Sequence, residues 1–243
     1  MIIPALMAMH LAAMPPLPVE KAAATYRIVC KVEESPRIKI AVMTDDIVYD
    51  YSRGARQLDA MKTDTKSPYP PGTDSTTGGL REDHPTIGTK MEWEIVWEQE
   101  SNTGCMRYKT IDIELHLRPK ILLAKEFNTG VCRDAVLAHE RKHVQVDREI
   151  MNKYANIIGR AVQDTVDHIG ALGPFNMDKV EAVKKQSSGY ITRRMAQIEA
   201  TMSSELRARQ QQVDSLEEYK RVSSFCQSVH VKKGDDDFNT LRN

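Results

Sequence analysis

The sequence predicts an α+β fold: an antiparallel sheet packed on one long helix, followed by a second helical region. Two observations carry this. Segments of the first half alternate apolar and polar residues with period two, which buries one face of a strand and wets the other. From about Val131 the apolar residues recur at three- and four-residue steps instead, the spacing of an amphipathic helix. Strands first and helices afterwards is the order of an α+β chain.

The elements follow in turn. Residues 1–24 read as a signal peptide or an N-terminal arm. The apolar run from Ile2 to Met14 falls short of the roughly 20 residues a membrane-spanning helix requires. Ala22, Ala23 and Ala24 suit cleavage, although no Lys or Arg precedes the apolar run. The domain then covers residues 25–226. Tyr26, Ile28, Cys30 and Val32 predict a first strand, and Ile38, Ile40 and Val42 a second. Met91, Trp93, Ile95 and Trp97 share one face of a third, and Ile111, Ile113, Leu115 and Leu117 one face of a fourth. Residues 52–90, rich in Gly, Pro, Ser, Thr and Asp, predict a long flexible loop, its composition favouring disorder over a functional flap. The helical pattern runs to about His168, where "GALGPF" breaks it. A second helical region spans roughly Met177 to Cys226, with a candidate interruption at Ser187-Ser188-Gly189. Residues 227–243 read as a mobile, solvated tail.

The bulk properties narrow the partners. The 243 residues include 34 basic and 34 acidic side chains, which gives no electrostatic reason to expect nucleic acid or an anionic membrane surface. No stable membrane span is expected. Cys30, Cys105, Cys132 and Cys226 contain no C-x-x-C pair, which excludes a zinc ribbon or a thioredoxin-type motif. Their wide spacing fits two disulfides in an oxidising compartment, and also four buried thiols. Cys105 opens a predicted strand and Cys132 opens the long helix, so a bridge between these two would anchor helix to sheet and is the expected pairing.

The stretch "LAHERKHVQVD" carries the chemistry. His139, Glu140 and His143 form H-E-x-x-H on the inward stripe of the long helix. Residues four apart on a helix share a face, so two imidazoles there can converge on one zinc ion. Glu140, the next residue round, can reach a water held by the metal without ligating it, and act as the general base of a hydrolase. Catalytic zinc usually takes a third protein ligand. Asp147 lies about 12 Å along the helix from the first histidine, too far to close on the same ion, and reads as an acceptor orienting a ligand or as a surface charge. No H-x-x-G-x-x-H continuation exists, so the metzincin pattern is absent. In "QQQVDSLEEYKR", Asp214 and Glu218 fall four apart on one helical face, one suited to ligate and the other to orient a histidine. Tyr219 beside them can donate to a developing oxyanion. Glu199 and Glu205 compete as ligands.

The layout of strands, a cysteine shortly before "AVLAHERKHVQVD", a long helix and a downstream Asp-containing helix ending near a cysteine resembles a bacterial family described as secreted zinc-dependent proteases. The resemblance covers roughly residues 25–226, and its one specific motif is H-E-x-x-H. It implies a zincin-like fold, zinc (Zn2+) on His139 and His143, Glu140 as base, and a periplasmic or secreted setting. Members carry a histidine near the second-helix site where this chain has "LEEY". Glu218 is the ligand expected there, with Glu199, Glu205 and Asp214 as alternatives.

The expectation is therefore a zinc peptidase acting on a peptide or protein substrate. The competing reading is a non-catalytic cell-envelope protein whose long helices bind a partner, with the zinc structural or absent. His84 and His116 read as surface histidines; His116 could meet an extended substrate only if its strand edges the cleft.

Overall fold

The computed structural model describes residues 28–31, 34–73, 75–82 and 85–229. The expectations for residues 1–24, for Tyr26 and Val32, for His84 and for the tail beyond Val229 lie outside these residues.

The main sheet is built round one long strand. β4 (Thr86–Glu98) and β5 (Thr103–Leu117) form an antiparallel hairpin. β1 (Arg37–Thr44) pairs with the other side of β5 in parallel, and β7 (Leu172–Asn176) joins the first part of β5. The sheet is thus mixed rather than antiparallel. Period two reports which face of a strand is wet, not which way its neighbour runs. The predicted faces hold: Ile111, Ile113, Leu115 and Leu117 are buried, and Ile38, Ile40 and Val42 of β1 lie opposite Ile111, Ile113 and Leu115. A β-bulge pairs Met91 with Ile111 but Trp93 with Tyr108, leaving Lys109 as the extra residue. It keeps Tyr108 and Met106 buried although their parity in β5 has changed. Residues 28–31 of the predicted first strand form no strand. Cys30 is held there by a disulfide to Cys105.

A second, smaller sheet continues the first. β2 (Val48–Asp50) runs parallel to β6 (Lys120–Leu123), and β3 (Gly79–Arg81) pairs antiparallel with β6 from the other side. β3 and the short helix α1 (Ala55–Asp59) both come from the segment expected to be a flexible loop. Its apolar content is small but placed: Ala55 and Leu58 are fully buried against Leu122 and Ala124.

The helix α2 (Gly130–Ile169) is 40 residues long and carries H-E-x-x-H near its first third. One side covers the sheet, where a Cβ built on Gly159 would stand 3.5 Å from Ile40 Cγ1, in ordinary van der Waals contact. The other side receives α3 (Val180–Val213), whose stripe of Ile191, Met195, Ile198, Met202 and Leu206 is buried. α3 runs unbroken through Ser187-Ser188-Gly189, since Ser187 and Ser188 bond back to the carbonyls of Lys184 and Lys185 and stay in the helix. The helical region breaks instead at Asp214, before α4 (Leu216–Phe225). Among the described residues, no helix is long and apolar enough to cross a membrane.

The expected Cys105–Cys132 bridge is not formed. Cys132 at the start of α2 pairs with Cys226 at the end of α4, so the two disulfides are Cys30–Cys105 and Cys132–Cys226. Neither disulfide joins α2 to a sheet: its contacts there are packing together with the Arg81–Asp147 and Arg141–Tyr49 pairs, and its disulfide fastens α4 instead. This bridge spans 94 residues of sequence. The double variant Cys132→Ala/Cys226→Ala is expected to lose about 2–5 kcal/mol of unfolding free energy. Chemical denaturation with and without the bridge measures it.

Candidate metal centre

The centre is made where α2, the end of α3 and the start of α4 meet. His139 and His143 sit one turn apart on α2 with their rings edge to face, centroids 4.9 Å apart, and their Nε2 atoms 3.3 Å apart. The apolar stripe of α3 presses that helix on α2 and continues, four residues after Leu206, into fully buried Gln210. The helix then ends. Asp214 leaves helical geometry at φ −80, ψ 49, and Ser215 starts α4 by accepting a hydrogen bond on its Oγ from the Glu218 N–H. The break turns Asp214 inward, with its Oδ1 3.2 Å from His139 Nε2 and 3.1 Å from His143 Nε2.

Three donor atoms therefore form a triangle with edges of 3.1, 3.2 and 3.3 Å. Four donors set tetrahedrally round an ion at 2.0–2.1 Å lie about 3.3–3.4 Å from one another. Two imidazoles and a carboxylate at that spacing fit a zinc ion. All three residues are buried, and all three line a cleft of about 810 Å³.

Asp214 converges with the histidines, and Glu218, the expected ligand, does not. Both were placed on one face of a single helix; the break between α3 and α4 sends them to opposite sides of the His139 ring. Glu218 Oε1 lies 3.5 Å from His139 Nδ1, and 2.7 Å from both Lys142 Nζ and Arg221 Nη2. Its contact with the ring is ionic, since His139 Nδ1 has no hydrogen-bond partner. The signal was in the sequence: S-x-x-E at Ser215–Glu218 is a capping pattern that starts a new helix just after Asp214. Glu199 lies exposed on α3, and Glu205 is engaged by Lys153 and Tyr154.

Glu140 is 4 % exposed on the cleft wall, against β3. A Cβ built on Gly79 would stand 2.7 Å from Val136 Cγ1 and 2.8 Å from Glu140 Oε1, so only glycine lets this strand lie on the helix. Burial pushes the Glu140 carboxyl above its usual range, against the pull of His139 and His143. The Tyr219 ring meets His139 edge-on at 5.7 Å on the cleft wall. Burial and the charges of Asp214 and Glu140 raise its phenol above the ordinary range, so it keeps its proton and remains a donor.

Asp147, read as either an orienting acceptor or a surface charge, is fully buried. It accepts from Gln210 Nε2 at 2.8 Å and pairs with Arg81 at 3.2 Å. Arg81 in turn holds Asp64 at 2.6 Å. Gln210, Arg81 and Asp64 were not anticipated as part of a site, although the 191-195-198-202-206-210 spacing already put Gln210 on the buried stripe. His116 lies away from this centre on the central strand of the sheet, bonded to Asp45 at 2.8 Å, so it edges no cleft.

The loop segment forms the facing wall. Thr65 lines the cleft with Asp214; Lys66 and Gln211 exchange two bonds at 2.8 and 3.0 Å, and the Tyr69 ring meets Tyr219 edge-on.

The charges fix the pH response of the metal-free protein. Burial opposes ionisation of Asp214, but hydrogen bonds from both histidines hold its carboxyl well below the usual range; Arg221 and Lys142 bring Glu218 down to about 2. Their contribution is present above the unfolded pKa and is lost as pH falls toward the folded value. His143 is raised by Asp214 and Glu140 in spite of burial, so its contribution is lost as pH rises through its folded pKa. Burial lifts the Asp147 carboxyl from 3.8 to about 6 against Arg81, so it costs stability as pH rises across that interval. Melting temperature without metal is expected to peak at about pH 4–5 and to fall on both sides; a peak above pH 8 contradicts these charges. In zinc competition assays, Asp214→Ala should abolish tight binding, while Glu218→Gln should weaken it only about 10- to 100-fold. Comparison with known protein families, with characterised proteins and with solved structures gives no match to this chain, so the geometry of the centre itself carries the functional reading.

Proposed function

We propose that this protein is a zinc-dependent peptidase of zincin type, with His139, His143 and Asp214 as the metal ligands. One observation carries the reading: the three donor atoms form a tetrahedral-sized triangle on the wall of a large cleft, with a carboxylate beside it. A structural zinc is closed by four protein ligands; here a three-residue set faces a cavity. Bound zinc would polarise a substrate carbonyl and make a water molecule acidic enough to attack it. Glu140 takes up the proton of that water, and its raised carboxyl is suited to pass the proton on to the leaving amine. Tyr219, with its proton retained and its ring against His139 in the cleft, is the donor available to a developing oxyanion.

The cleft suits an extended chain. Ala124 N–H bonds Gly78 O and Glu82 N–H bonds Lys120 O, so even-numbered positions of this strand face β6. Alternation turns the Gly79 N–H and C=O the other way, on a strand that lines the cleft. A substrate laid along β3 adds a strand by main-chain bonds, which suits peptides of varied sequence. Two disulfides and the resemblance to secreted proteases favour a periplasmic or secreted setting.

Glu140→Gln keeps the ligands and removes the base. It is expected to bind zinc stoichiometrically and to lose at least 100-fold in the rate of hydrolysis of an unfolded protein such as casein (about 10²–10⁴ for general-base removal). Zinc-dependent hydrolysis left intact in that variant, or no hydrolysis by the zinc-loaded parent chain, refutes the proposal.

A further inference from the structure

Gln210 stands out as a buried amide on an otherwise apolar stripe, and its contacts determine more than packing. Its Nε2 donates to the His143 carbonyl oxygen at 3.1 Å and to Asp147 Oδ1 at 2.8 Å. Its Oε1 lies 2.6 Å from His143 Nδ1. A backbone carbonyl can only accept, and Asp147, paired with Arg81, is an acceptor as well. Turning the amide over would set its oxygen against both of these and its NH2 against the ring. The network therefore admits one amide orientation, and the group facing Oε1 has to be an N–H.

We infer that Gln210 is a positioning residue for His143: it holds the ring proton on Nδ1 and so aims an unprotonated Nε2 at the point shared with His139 and Asp214. In the neutral ring that nitrogen's lone pair lies 3.1 Å from a carboxylate oxygen and 3.3 Å from another imidazole nitrogen. A cation shared between them makes the contact favourable, as does a proton on one of these nitrogens in the metal-free protein. The amide sets the tautomer without adding a charge. Its own orientation is set by Asp147, whose partner Arg81 belongs to β3 on the cleft wall. The chain of contacts thus runs from the proposed substrate strand through Arg81, Asp147 and Gln210 to a metal ligand. It also explains the burial of Asp147, which is too far along α2 to ligate.

The affinity part of the test rests on the zinc reading; the tautomer part does not. Two-bond 1H–15N correlation spectra of the imidazoles distinguish Nδ1–H from Nε2–H rings. In the unaltered chain, the neutral His143 ring is expected as the Nδ1–H form, both zinc-loaded and metal-free at alkaline pH. Gln210→Met keeps the buried volume and removes both hydrogen-bonding functions. It is expected to shift the metal-free ring toward the Nε2–H form and to weaken zinc binding about 10- to 100-fold. A neutral His143 ring carrying its proton on Nε2 in the unaltered chain overturns the inference, as does a folded Gln210→Met variant with unchanged zinc affinity. If the unaltered chain binds no zinc, the proposed function falls, and the tautomer measurement still decides the role of Gln210.

Discussion

The arrangement depends on helix α2 being buried on two sides. The sheet takes one face and α3 takes another, so Val144, Ile150, Ile158 and Val162 are sealed completely. A helix held this way cannot roll. The polar side chains interspersed with its apolar ones, His139, Glu140, His143 and Asp147, are therefore buried with it and need partners. A buried polar group left unsatisfied costs roughly 1–3 kcal/mol, more if charged. Four such groups within three turns would consume much of the 5–15 kcal/mol that holds a typical domain together. The fold meets most of this demand with Gln210 and Asp214 at the end of α3, Glu218 of α4 and Arg81 of β3; His139 Nδ1 and Asp147 Oδ2 are buried without a hydrogen bond and have only the ionic contacts of Glu218 and Arg81.

Those partners arrive by distinct physical means. Gln210 comes with the α3 stripe, carried by the same periodicity that buries Leu206. Asp214 comes from a helix end, where the main chain leaves helical geometry and can point a short side chain inward. Glu218 is delivered by the first turn of α4, and that helix is fixed at its far end by the bond from Cys226 to Cys132. Arg81 comes from the edge of the small sheet, which can lie on α2 because residue 79 has no side chain.

The segment between Ser52 and Lys90 illustrates how composition misleads. It has few large apolar residues, and by that measure it reads as disordered. Its order comes from sparse, specific anchors: Leu58 in a small core, Arg81 between two carboxylates, Thr77 N–H on Asp59, and Lys66 exchanging two bonds with Gln211. Such anchors are side-chain and main-chain bonds to distant residues, and no local average of hydropathy registers them. The outcome is a wall for the cleft.

The sequence by itself determined the α+β class, the extent of α2 to within a residue or two, the inward faces of β1 and β5, and the pairing of His139 with His143; the face expected for β4 fails at Trp97, which is exposed. All of these follow from periodicity within one element, which the chain carries locally. The parallel joining of β1 to β5, the two disulfide pairings and the choice of Asp214 over Glu218 were decided only in the folded molecule. Each is a relation between segments tens of residues apart, settled by which elements pack together. For the carboxylates the deciding event was small: a serine cap ended one helix and began another, and the acid at the break, not the one a turn later, met the histidines.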